Sequence, residues 1–227
     1  MSIRILIACE ESDEVRGRFE KLGFDAWSCD LVDNRNPNAK HYKGNVFDII
    51  NDGWDAMIAF PPCTHLAVSG AKHFEQKRKD GRQQEGINFF MDIINAPIKH
   101  IAVENPVGIM SKIYRKPSQI IQPYYFGDTE RKTTCLWLKE FPKLYHNKSI
   151  NLFDNLVTHV GINFYETKTG NKYTNVHNGG GYGWNTDECK KERSKTFPGI
   201  AQAMATQWGE YLLNQYNETT PHLETTL

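Results

Sequence analysis

The chain has 227 residues, 39% hydrophobic and 24% charged, which suits one sizeable globular core. Its 27 basic and 27 acidic residues cancel, so no global field favours nucleic acid and any such contact must come from local patches. No apolar run reaches the ~20 residues of a membrane span, the first residues lack a secretory pattern, and the five scattered cysteines, without CxxC spacing, suggest neither a disulfide framework nor a zinc site.

In chain order, the apolar run 3–8 (IRILIA) predicts a strand covered on both faces. Residues 12–22 predict a helix, with Ser12 as N-cap and Val15, Phe19 and Leu22 on one stripe, ended by Gly23. A second strand is predicted over 25–29, ending at Asp30, and a third over 55–60, stopped by Pro61-Pro62. A long helix is predicted over 82–95, with Ile87, Phe90 and Ile94 inward, then a strand over 100–103 stopped by Glu104-Asn105-Pro106. Residues 135–138 (CLWL) read as a late strand paired with 122–126 across Gly127-Asp128. Periodicity fades over 147–193, where a glycine-rich, aromatic stretch appears. It returns in a helix over 197–211 with Ile200, Met204 and Trp208 at four-residue spacing, and the tail after Asn214 is polar. The alternation of strand and helix argues for an α/β fold, a parallel sheet with helices on both faces.

In such sheets ligands sit beyond the carboxyl ends of the strands. Cys9-Glu10-Glu11, Asp30, Pro61-Pro62-Cys63 and Glu104-Asn105-Pro106 all fall there. Two prolines fix the backbone and present Cys63 over the sheet edge, where a thiol in a polar setting can act as a thiolate nucleophile. Alone, a cysteine after prolines is more often structural than not. Glu104 at a strand tip would supply a carboxyl group to a ring nitrogen, since thiolate addition to a pyrimidine is slow unless the ring accepts charge. His65 and His73 near Cys63 lack metal-ligand spacing, so no metal is expected.

Phe60-Pro61-Pro62-Cys63 resembles the proline-cysteine motif of DNA cytosine-C5 methyltransferases, and Glu104-Asn105-Pro106 resembles their Glu-Asn-Val motif. Phe126-Gly127-Asp128-Thr129-Glu130-Arg131-Lys132 is similar to a reduced form of their Gly-x-x-Gln-x-Arg-x-Arg motif, and the stretch from Phe197 to Ala205 (FPGIAQAMA) resembles their closing helix. The order along the chain matches, and the LIACE-type start is similar to that of short phage or prophage members. The resemblance implies a Rossmann-like, S-adenosylmethionine-dependent catalytic core over 1–146. It also implies a small target-recognition region over 147–195, a C-terminal helix over 196–216 packing back on the core, and a tail over 217–227. Cys63 would attack carbon 6 of a flipped-out cytosine, Glu104 would contact N3, Arg131 would steady the thiol or the base, and Pro62, Asn105 and Pro106 would border the substrate.

The resemblance places the cofactor near Ala8, Cys9, Glu10, Ser12, Asp30, Asp48, Phe60 and Pro61. Asp30 is expected on the ribose hydroxyls and Asp48 near the adenine. The family's Phe-x-Gly-x-Gly turn is replaced by Cys9-Glu10-Glu11-Ser12-Asp13, without glycine. The short recognition region leaves cytosine-containing DNA, single-stranded or loosely specific, as the expected partner. Its Gly179-to-Trp184 stretch could stack on bases, with Lys190, Lys191, Arg193 and Lys195, or Lys72, Lys77, Arg78 and Lys79, meeting phosphates. An RNA cytosine, a free nucleotide or a binding-only protein of the same fold are the alternatives. The expected location is the cytoplasm, that of a bacterial host for a phage-encoded chain, with no membrane partner.

Overall fold

A computed structural model describes residues 2–146, 164–166, 172–174, 186 and 194–219. Seven strands form one sheet: β1 (Arg4–Ala8), β2 (Asp25–Asp30), β3 (His41–Lys43), β4 (Ala56–Ala59), β5 (His100–Pro106), β6 (Gln119–Ile121) and β7 (Thr134–Lys139), in the order β3-β2-β1-β4-β5-β7-β6. The first five run parallel, in registers such as Ile5↔Ala56 and Ala59↔Val103, whereas β7 is antiparallel to both its neighbours. A separate two-stranded pair joins β8 (Phe164–Glu166) to β9 (Lys172–Thr174).

Parallel strands covered on both sides need apolar residues at every position, and β4 (AMIA) is buried throughout. Alternate residues of each strand feed two cores. One face, with Ile5, Ile7, Ile58 and Leu136, packs on α1 (Arg16–Lys21) and the C-terminal helical stretch; the other, with Leu6, Met57, Ile101 and Trp137, packs on α3 (Arg82–Ile94). Phe90 of α3 meets Trp137 edge-on at 5.2 Å between ring centres, a buried pair whose truncation to alanine would cost about 3–5 kcal/mol. The C-terminal stretch consists of α5 (Pro198–Ala203), a π-helical turn (Met204–Trp208) and α6 (Gly209–Thr219). Ile200, Met204 and Trp208 are buried as their spacing predicts, and Trp208 stacks on Phe141.

Four expectations change. The first helix begins at Arg16 rather than after Ser12, because Asp13 takes a left-handed φ of 65° that interrupts helical winding. Its buried stripe is Val15 and Phe19; Leu22 turns outward and Phe24 fills the place against Phe19. The partner of β7 is β6, since Pro123 opens a 3-10 turn (Pro123–Phe126) in the stretch expected to be a strand. Finally, β5 runs on through Pro106, which sits opposite Thr134 on the last rung of the antiparallel ladder.

Candidate active site

The carboxyl ends of β1, β2, β4 and β5 bring the sequence-nominated residues to one edge of the sheet. After β4, Pro61 is buried, Pro62 exposed and Cys63 half-buried. The backbone then turns: the N–H groups of Leu66 and Ala67 both donate to the Cys63 carbonyl at 2.9 Å. Side chains from three other elements hold the neighbouring carbonyls. Asn105 Nδ2 donates to Pro61 O at 2.9 Å, Gln83 Nε2 to His65 O at 3.3 Å, and Lys77 Nζ, from α2 (Phe74–Lys79), to Thr64 O at 2.6 Å. A surface loop would leave these carbonyls to water; here their partners are buried side chains, Asn105 being only 2% exposed.

Strand alternation sends Asn105 toward the turn of Cys63 and Glu104 to the opposite face, under the start of α5. Glu104 lines a small cavity with Lys132, Thr134, Lys195 and Phe197. Burial pushes its carboxyl pKa above the ordinary value, and the Lys132 ammonium pulls it part of the way back. Lys132 Nζ lies 5.7 Å from the centre of the Phe197 ring. Arg131, nominated from the sequence, is exposed and within electrostatic reach of Tyr124, so the cation facing Glu104 is its neighbour Lys132. The loop before β7 is joined to α5 by Gly199 N–H, 3.1 Å from Asp128 Oδ2. A Cβ on Gly199 would come within 2.3 Å of Phe126 O, so only glycine permits this approach.

The turn after β1 is built differently. Ala8 is sealed in the sheet and accepts from Phe60 N–H at 2.9 Å. Cys9 follows with φ 60°, so both Cys9 and Asp13 adopt the left-handed conformation for which glycine is the easy choice. Glu10 folds inward, 4% exposed, and accepts from Val15 N–H at 2.7 Å and Arg16 N–H at 3.0 Å. It thereby serves as the cap of α1, while Ser12 Oγ donates to Glu10 Oε1 at 3.3 Å. Burial raises the Glu10 pKa to about 7, outweighing the two backbone donors that lower it. Burial also pushes the Cys9 thiol up to about 12, with the Asp30 charge adding to it. Outside this turn, Glu11 pairs with Arg35 at 2.6 Å and Asp13 Oδ2 accepts from Asn36 Nδ2 at 2.9 Å, pinning the loop after β2 against it.

At the end of β2, Asp30 accepts from Val32 N–H at 3.2 Å, and burial raises its pKa. The next residue, Leu31, is 73% exposed, an apolar side chain with nothing packed over it beside a carboxylate. Asp48 is exposed and accepts from Tyr42 OH at 3.2 Å. An acceptor for two hydroxyls beside an apolar surface is the donor set a nucleoside requires, so this edge fits the adenosine half of S-adenosylmethionine.

Sequence reasoning missed Lys77, Gln83, Lys132 and Leu31 as members of this edge. Lys77 had read as part of a basic surface cluster, which the structure divides: Lys77 is buried, Lys79 pairs with Glu75 at 2.9 Å, and Lys72 and Arg78 are exposed. Lys195 pairs with Glu14 at 2.7 Å. The glycine-rich stretch from Gly179 to Trp184, and Lys190, Lys191 and Arg193, lie outside the described residues. Among the described residues no group of three or more His, Cys, Asp or Glu gathers as for a metal ion, and no helix is long and apolar enough to cross a membrane.

No protein-family model and no curated protein matches the chain. Among solved structures it resembles a prophage-encoded protein of E. coli described as a DNA modification methyltransferase, with 17% identity and TM-score 0.42. The match covers 60% of this chain and 46% of that one, so this chain spans less than half the length of that relative. It also resembles a methyltransferase of Entamoeba histolytica, with 13% identity and TM-score 0.50 over 95% of this chain and 99% of that one. The second likeness, together with the strand order and the reversed β7, establishes a Rossmann-like fold of the S-adenosylmethionine-dependent methyltransferase kind.

Proposed function

We propose that the chain transfers a methyl group from S-adenosylmethionine to carbon 5 of cytosine in DNA, through a covalent bond to Cys63. The observation that carries the reading is the hydrogen bond from Asn105 Nδ2 to Pro61 O. It ties the strand end that carries Glu104 to the turn that carries Cys63, on adjacent strands, which supports reading the two motifs together.

In this mechanism the Cys63 thiolate bonds to carbon 6 of the ring, and the ring electrons move toward N3. Glu104, kept protonated to higher pH by burial, hydrogen-bonds N3 and takes up that charge. S-adenosylmethionine, when bound, supplies an electrophilic methyl group. Asp30 would hold its ribose hydroxyls and Leu31 the face of its base, while the inward Glu10 keeps the first turn of α1 from water. Once carbon 5 carries the methyl group, loss of its proton to water and cleavage of the Sγ–C6 bond restore the aromatic ring and the thiolate, and the N3 proton returns to Glu104.

The test is methyl transfer from labelled cofactor to cytosine-containing DNA, transfer RNA and dCMP side by side, with DNA carrying 5-fluorocytosine as a trap. Transfer to DNA and a trapped adduct, both lost in Cys63→Ser, are the expected result. Absence of transfer to all three acceptors would overturn the enzyme reading, and transfer to RNA or dCMP alone would overturn the choice of DNA.

A further inference from the structure

Lys77 is the buried cation of the thiol turn. Its side chain is 7% exposed and its ammonium donates to Thr64 O, the residue after Cys63, at 2.6 Å. The ring centre of Phe74 lies 5.9 Å away, and Gly70 closes the other side, where an added Cβ would come within 3.2 Å of Nζ. A desolvated ammonium needs acceptors and counter-charge, and among the described residues no carboxylate pairs with it. The other charged groups near the turn are His65 within it and Asp80 and Arg82 where α2 meets α3, while Glu104 on β5 faces away, toward Lys132. Asp80 and Arg82 pair with each other at 2.5 Å, and Asp80 is also within electrostatic reach of His65. Among the described residues, the positive charge of Lys77 thus meets no counter-charge and rests on the carbonyl of the residue after the thiol.

We propose that Lys77 is a positioning residue for Cys63: it locks the backbone that follows the cysteine and supplies the counter-charge under which the thiol ionises. Thiols beside a lysine ionise at lower pH than free cysteine, and the thiolate is the attacking form. The inference rests on the reading of Cys63 as a nucleophile, but its test follows the thiol alone. An ordinary solvated helix lysine would leave thiol reactivity untouched.

The experiment is the rate of iodoacetamide alkylation at Cys63, followed by mass spectrometry of its peptide across the neutral to alkaline range, in the full chain. Lys77→Gln is expected to raise the pH midpoint by about one unit and to slow alkylation at neutral pH about tenfold. Gln83→Ala, which removes a clamp on the same turn without removing charge, is expected to leave the midpoint in place. An unmoved midpoint in folded Lys77→Gln overturns the proposal, and so does an equal shift in Gln83→Ala. Should Lys77→Gln fail to fold, Gly70→Ala decides: the added methyl crowds Nζ, and a smaller upward shift supports the proposal, whereas none overturns it. Methyl transfer is not read in this assay, so a normal methyltransferase with an unmoved midpoint would fail this inference alone. A shifted midpoint without methyl transfer would fail only the proposed function.

Discussion

The turns after β4 and β1 sit at the same edge of one sheet and solve opposite problems. After β4, side chains from elsewhere reach in to hold the backbone, which leaves the local side chain, Cys63, half-buried. After β1, the turn's own side chain, Glu10, folds inward to hold the backbone of α1, and two non-glycine residues accept left-handed conformations to make this possible. The first arrangement presents a side chain; the second consumes one. Where a turn's carbonyls are satisfied from outside, its own side chains remain available for chemistry.

Removing the clamp should have the largest effect. Asn105→Ala leaves Pro61 O buried without its donor and is expected to cost about 1–3 kcal/mol of stability. It should also lower methyl transfer more than a stability-matched core variant, as chemical denaturation and single-turnover rates on the same samples would show. Equal losses in both variants would mean that the clamp holds the fold rather than the nucleophile.

The cap of α1 should be the next most sensitive, and its effect depends on pH. Glu10 titrates near 7 when folded against an ordinary 4.5, so the folded state binds its proton more tightly than the unfolded chain does. Its contribution to stability is therefore fully present below the ordinary carboxyl pKa and is lost as pH rises through about 7. The shift corresponds to about 3 kcal/mol at most. Glu10→Gln removes this titration, so the stability of wild type relative to the variant is expected to be highest in acid and to fall as pH rises through about 7. Urea melts at several pH values would check it, and a wild type that gains on the variant as pH rises would show that the carboxylate form is the better cap.

Lys132→Met tests the electrostatics of Glu104. With the cation gone, the Glu104 pKa should rise further, and the alkaline limb of the pH profile for methyl transfer should move up. Movement downward would place the controlling group elsewhere. The smallest expected effect calibrates the backbone strain. Glu140 has φ 54° and an exposed side chain outside both turns, so Glu140→Gly is expected to raise stability by about 1 kcal/mol or less. Thermal melts would measure it, giving the left-handed strain to subtract at Cys9 and Asp13.

The sheet was legible because its strands are short apolar runs stopped by prolines, glycines or acids, and because ligand-facing residues gather where such runs end. The α3 stripe and the Ile200, Met204 and Trp208 spacing were legible for the same periodic reason. The reversal of β7 was not, since strand composition does not encode direction. Glu10 read as a cofactor contact rather than as a cap, because capping signatures place the cap within three residues of the helix it serves, and Asp13 delays α1 beyond that reach. Lys77 looked like a surface charge because a run of lysines and arginines reads as solvated. Its burial depends on Gly70 and Thr64, which no periodicity connects to it.

The junction around Phe126 has a further consequence. His146 stacks on Tyr125 at 4.3 Å between ring centres and meets the edge of Phe126, while Gly199 rests on the Phe126 carbonyl. His146 and Gly199, far apart in sequence, are thus fastened at one spot on Tyr125 and Phe126. Closing a loop between fixed, neighbouring ends costs only about 0.6 kcal/mol for each doubling of its length. The core can therefore accept segments of very different length between these two fastened points.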